Sequence, residues 1–344
     1  MSRLIRCLTV MVFVLVAPAC TIPTETNSVV DIPATSPAVA TPDLLPADEP
    51  PTGDGVTVSP EPFPSARVPV SAPLAERISA AVATASAERG ADMSIAVLDR
   101  ATGSYLEGAA TEPVETASLA KLFIAAQMYH LDALGERPLS DFDRVLLKRM
   151  LESSDDDAAN TLWDDLGGSD VVVDVAGRYG LAATTPPWDG LWWNTETTAA
   201  DLVTFYAGLL DDREGLGADR IAEFVGYLRS STPAGIDGYD QRFGIPDGLP
   251  GENVVGVKQG WMCCVGDRWI HVSTGLIGED NRYIVAVASR EDIRYEDDEE
   301  SYPDTAITDV TEDSSARHAR DTMTGFVKSL FPTGVVDDWA QPQG

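Results

Sequence analysis

The chain has 344 residues, of which 24 are Lys or Arg and 55 are Asp or Glu, giving a formal net charge of −31. That balance opposes nucleic-acid binding, which needs cations facing phosphates, and fits a soluble, self-repelling domain. The three histidines (His130, His271, His318) are far apart, no C-x-x-C or H-x-x-x-H spacing occurs, and no phosphate loop or dinucleotide fingerprint appears, so neither metal nor cofactor is expected.

Residues 1–19 read as an export signal. Arg3 and Arg6 form a cationic start, Leu8 to Val16 an apolar core too short to span a bilayer, and Ala17-Pro18-Ala19 a small-residue cleavage site. Cys20 follows directly, which suggests lipid attachment there and a place on the outer face of the cell membrane. The alternative is a secreted protein cut after Ala19, with Cys20 incidental. Residues 20–72 are rich in Pro, Thr, Ser, Ala and Val, a composition that cannot bury a core and reads as a tether. Residues 73–344 are globular, a size that one two-lobed domain can fill.

In that part Leu74 to Glu88 has helical spacing, and Met93 to Asp99 with Tyr105 to Gly108 read as a hairpin. Helices are expected near 118–134, 140–152, 157–166, 169–179, 199–210 and 216–230. Strands return at Val254–Lys258, Trp269–Leu276 and Tyr283–Ser289, and Ala316 to Phe331 closes the chain as a helix ended by Pro332. Strands at both ends around a helical block, about 122–250, imply an α+β fold in two lobes with a cleft between them. Of the cysteines, Cys7 leaves with the signal and Cys20 is the lipid candidate. The adjacent Cys263 and Cys264 are expected as two buried thiols rather than a vicinal disulfide. The acidic run Glu296 to Glu300 lacks the glycine-spaced ligands of a calcium loop and reads as a solvated surface.

Only four lysines occur: Lys121, Lys148, Lys258 and Lys328. Ser118-Leu119-Ala120-Lys121 gives S-x-x-K at the mouth of an apolar helix, where both side chains share one face. A neutral amine one turn from a hydroxyl takes its proton as it attacks, and the helix N-terminus favours an oxyanion above it. The alternative for Ser118 is an ordinary helix cap. Further on come Ser153-Ser154-Asp155-Asp156 and, after a strand, Lys258-Gln259-Gly260-Trp261.

These three segments, in this order, resemble the S-x-x-K, S-D-N and K-T-G sets of class A β-lactamases and penicillin-binding proteins. The resemblance spans about residues 74 to 331 and implies a β-lactamase/transpeptidase-like fold, with an antiparallel sheet lobe from both chain ends and an inserted helical lobe. It implies Ser118 as nucleophile, Lys121 as proton acceptor and Ser154 as relay to the leaving nitrogen. Lys258 would hold a substrate carboxylate and assist Ser154, and the backbone N–H groups of Ser118 and Trp261 would form an oxyanion hole. Asp156, Gln259, Gly260 and Trp261 would face the substrate, a cell-wall (peptidoglycan) peptide or a related small amide.

The sequence departs from that pattern in three places. Asp156 stands for an asparagine, so a donor becomes an acceptor; at about 4 Å it would favour protonated Lys121 by roughly 4 kcal/mol at an effective dielectric near 20. Gln259 stands for threonine, with an amide still able to donate to a carboxylate. The segment between Ala182 and Thr198 lacks the family's E-x-x-x-N, leaving only Asp189 and Glu196 as local carboxylates. Trp188, Trp192, Trp193 and Trp261 are expected around the cleft, to pack the shortened loop or to stack on sugar rings. Two functions follow: a serine hydrolase forming a Ser118 acyl-enzyme, or an inactive member of the fold that binds a wall component or a protein.

Overall fold

The computed structural model of the protein describes residue 63 and residues 72–294 and 314–336. The signal segment, nearly all of the tether with Cys20, and the acidic run Glu296 to Glu300 lie outside the described residues.

The chain enters through α1 (Leu74–Thr84), whose last turn widens over Ala85–Arg89, and then forms the hairpin β1 (Ala91–Asp99) and β2 (Ser104–Gly108). Three later strands, β5 (Val255–Met262), β6 (Arg268–Ile277) and β7 (Tyr283–Asp292), complete one antiparallel sheet of order β2-β1-β7-β6-β5. The two ends of the chain therefore meet at the β1–β7 pair, with Ile95 opposite Val287 and Ala96 opposite Ala286. Period-two alternation sorts these residues onto opposite faces. Ile95, Val97, Val285 and Val287 pack under α1 and the closing helix α9 (Ser314–Leu330). Ala96, Ala286 and Ala288 face the helical lobe, where their small side chains let helices approach closely.

That lobe holds α2 (Ala120–Leu134), α3 (Asp141–Glu152), α4 (Asp156–Asp165), α5 (Asp170–Tyr179), α6 (Ala199–Leu210) and α7 (Ala218–Arg229). Residues Ala120 to Tyr129 of α2 are buried on every side, as expected of an apolar helix that forms the centre of a core. The polar α3 starts at a reciprocal cap, with Ser140 Oγ accepting from Asp143 N and the Asp143 carboxylate accepting from Ser140 N. A two-residue pair, β3 (Val114–Glu115) with β4 (Glu196–Thr197), and the short helix α8 (Ile245–Gly248) were not legible, being too short to carry a period. β5 and β6 also run beyond the expected ends, because Gln259 to Met262 and Arg268 continue the ladder.

Candidate active site

Four side chains converge where the sheet edge meets the start of α2. Ser118 sits in the single tight turn Ala117–Leu119 that leads into α2, and Lys121 lies in the helix's first turn. Ala117 has φ +44°, a left-handed conformation costly for a residue with a Cβ, and it sharpens the turn that presents Ser118. Ser154, between α3 and α4, has φ +56°. Its position is held from behind: Ile236 N donates to Ser153 O at 2.7 Å, and Gln241 Nε2 donates to Glu152 O at 2.9 Å. Asp155 then caps α4, accepting from Ala158 N, and pairs with Arg149 at 2.5 Å.

Lys121 Nζ lies 2.8 Å from Ser118 Oγ, 2.6 Å from Ser154 O, 3.2 Å from Ser154 Oγ and 2.5 Å from Asp156 Oδ1. Lys258 Nζ donates to Ser154 Oγ at 2.9 Å and to Gln259 O at 3.0 Å. A neutral amine has two N–H bonds and one lone pair. With those donors on Ser154 O and Asp156, the lone pair of Lys121 is left to accept from the Ser118 hydroxyl.

Burial settles the sign at Lys121. The amine is 0% exposed, and its desolvation lowers its pKa from the usual lysine value despite the opposing charge and hydrogen bond of Asp156. Burial therefore outweighs the upward pull of Asp156, and the net shift is downward. The Asp156 side chain is 53% exposed, so water screens the field it projects inward. Lys258 is pushed well below its usual value, first by burial and then by the charge of Lys121.

Gly260 explains the glycine of the third motif. A Cβ there would lie 2.6 Å from Thr116 O and 2.7 Å from Leu119 Cδ2. Only a glycine lets β5 close against the turn carrying Ser118.

In front of Ser118 is a cavity of about 450 Å³, walled by Trp192, Trp193 and Trp261 with Asp156 and Asp237. Several expectations are corrected by it. Gln259 does not face it: its amide donates to Gln241 O (3.1 Å) and Phe243 O (2.7 Å), on the opposite side of β5 from Lys258. Lys258 is 1% exposed and its amine is engaged by Ser154 Oγ. Trp188 is 88% exposed and outside the wall. Cys263 and Cys264 form a disulfide in the half-buried turn after β5 and line the cavity, rather than standing as buried thiols.

The loop before β4 is held by Thr116 N donating to Thr195 O at 2.7 Å and by Asp201 accepting from Ala183 N and Thr184 Oγ1. It places the Trp192 ring 4.7 Å from Lys121 Nζ, with the indole N–H on Asn160. Asp189 braces this loop through Leu191 N and Asn194 Nδ2, and Glu196 is exposed, so neither faces Ser118. His271 is a buried core residue bonded to the Tyr239 hydroxyl, whose ring stacks flat on Trp261 at 4.7 Å.

Asp237 was missed by sequence reasoning. Its signal is a carboxylate next to Gly238 just ahead of the Lys258 segment, but loop residues carry no periodicity that shows where they point.

An antiparallel sheet built from both chain ends, an inserted helical lobe and a Ser-Lys/Ser/Lys cluster at their junction define the β-lactamase-like class of α+β proteins. A family model described as a β-lactamase enzyme family matches residues 144–313. Proteins of Mycobacterium tuberculosis and Mycobacterium bovis, each named "Putative lipoprotein LppW", are 47% identical over 249 residues, covering 72% of this chain and 72% of theirs. The chain belongs to this β-lactamase enzyme family. Among solved structures it is similar to a β-lactamase from Sphaerobacter thermophilus, with TM-score 0.54 and 17% identity over 75% of this chain and 97% of the other. It is similar also to an ancestral class A β-lactamase, with TM-score 0.53 and 19% identity over 74% and 98%.

Proposed function

We propose that the protein is an exported, lipid-anchored serine hydrolase that forms an acyl-enzyme at Ser118 on a cell-wall peptide or a related amide. The observation that carries this reading is the 2.8 Å approach of Lys121 Nζ to Ser118 Oγ, with burial holding the amine's pKa down. Ser118 Oγ attacks the amide carbon as its proton passes to Lys121. The oxyanion then collapses and the C–N bond breaks as Ser154, held by Lys258, gives its proton to the leaving nitrogen and takes in exchange the proton carried by Lys121, whose Nζ is 3.2 Å from Ser154 Oγ. A place at the membrane through Cys20 is supported by the signal segment and by the lipoprotein name of the relatives. A mature N-terminal peptide without acyl mass on Cys20 would refute the anchor.

The test is intact-mass analysis after exposure to a penicillin and to a broad serine-reactive probe. One adduct per chain, lost in Ser118→Ala, is expected. No adduct, or one that survives Ser118→Ala, overturns the reading.

A second reading, an inactive binding module, rests on a specific feature. Trp192 lies over Lys121, and none of the carboxylates of its loop faces Ser118 to activate water for release of an acyl group. The two readings part on turnover: hydrolysis of any amide that depends on Ser118 eliminates the second.

A further inference from the structure

The cavity in front of Ser118 has the wrong charge for an anionic ligand. Among the described residues, its ionisable lining groups are Asp156 and Asp237, and no Lys or Arg lines it. The two cations nearest by are withdrawn: Lys121 is fully buried and Lys258 is engaged by Ser154 Oγ. Gln259, the remaining group that could have met a carboxylate, spends its amide on Gln241 O and Phe243 O. A ligand entering here therefore meets two carboxylates and three indole rings.

Asp237 makes no ion pair within 4 Å among the described residues; its carboxylate accepts from Tyr239 N at 3.0 Å, and Lys121 favours its ionised form only from a distance. Shielding in the cavity mouth raises its pKa, and the charge of Asp156 raises it further. Asp156 has Lys121 behind it at 2.5 Å, but both carboxylates line one space, and a cation bound between them lowers their mutual repulsion. The walls favour the same occupant. Indole faces attract cations, most strongly where water is partly excluded. Trp261, in the cavity wall, also leaves its buried indole N–H without a hydrogen-bond partner among the described residues.

We propose that this cavity selects ligands bearing an ammonium or guanidinium group close to the amide presented to Ser118, held between Asp156, Asp237 and the tryptophan wall. This deepens the proposed function by naming its substrate class: an amine-bearing peptide, not a carboxylate-terminated one.

The test separates binding from chemistry by using the full chain carrying Ser118→Ala and reading tryptophan fluorescence. Three ligands of one length are titrated: Nα-acetyl-lysine methylamide, its norleucine counterpart and its glutamate counterpart. The lysine compound should bind about tenfold tighter than the norleucine one, with the glutamate one weakest. Asp237→Asn should shrink the lysine preference by about fivefold without reversing the order of the other two. Equal binding of all three, tighter binding of the glutamate compound, no binding of any, or an unchanged preference in Asp237→Asn overturns the proposal. Because no acyl transfer is needed, this result stands apart from the probe-labelling result that decides whether Ser118 reacts.

Discussion

The active-site region has two unlike halves. The half that handles protons, Ser118, Lys121, Ser154 and Lys258, is buried and hangs on α2, the start of α4 and the edge strand β5. The half that would meet a ligand is built on loops: Asp237 and the Cys263–Cys264 turn are more open to solvent, with the buried Trp192 behind them. Regular elements hold interatomic distances tightly, which a hydroxyl and amine at 2.8 Å require. Loops vary without disturbing the core, so they are where a shared fold acquires its own ligand preference. The first half keeps the groups that the family pattern predicts. In the second, neither Asp189 nor Glu196 lines the cavity, whereas Asp156 and Asp237 do.

The sharpest way to break this contrast is at Gly260, where β5 closes against the turn carrying Ser118 and the proton-handling half is held together. Gly260→Ala puts a methyl 2.6 Å from a backbone oxygen that cannot rotate away. We expect a stability loss of about 1–3 kcal/mol and a fall of at least about tenfold in the rate of Ser118 labelling, read by denaturant melts and time-resolved intact mass. Labelling at the unaltered rate would mean that the close approach of β5 has no part in shaping the site.

A smaller effect tests how the halves are coupled electrically. Lys121 must be neutral to accept the Ser118 proton, so labelling should be absent well below its pKa and reach a plateau above it. Burial sets that pKa below the usual lysine value, and Asp156 pulls it partly back up. Removing the anion in Asp156→Asn should therefore shift the rising limb of the pH–rate profile to lower pH. The shift should be modest, because the Asp156 side chain is half exposed and screened. A limb that stays in place, or moves to higher pH, would show that Asp156 does not act on this amine.

The same division explains what could be read from the residues. Lys121 follows Ser118 by one helical turn, and Lys258 precedes a glycine at the end of an apolar strand. Both spacings are consequences of element geometry, and the structure brings those groups together. The helical lobe and the sheet from both chain ends were legible from related signals: α3 carries a helical period, and α2 and β5 to β7 are apolar runs of helix and strand length. Gln259 was misjudged, although strand alternation itself places it opposite Lys258. The balance of burial against Asp156 at Lys121 could not be read, because depth, unlike spacing, is a property of the whole fold. Asp237 and the disulfide were out of reach, since the glycine-flanked loop and the paired cysteines acquire direction only when the chain has folded around them.

The smallest effect separates two neighbouring tryptophans that composition treats alike. Trp192 is nearly buried, with its ring over Lys121 and its indole N–H on Asn160. Trp188, four residues earlier, projects into solvent and touches none of the reacting groups. Trp188→Ala should therefore change stability by no more than about 0.5 kcal/mol and leave the labelling rate and the three-ligand order unaltered. Trp192→Ala opens a void beside the amine, lets water reach Lys121 and should raise its pKa toward the lysine norm, moving the labelling limb to higher pH. If Trp188→Ala moved that limb as far as Trp192→Ala does, the ligand-facing wall would have to extend beyond the cavity, and the contrast between a buried proton relay and a loop-built pocket would lose its boundary.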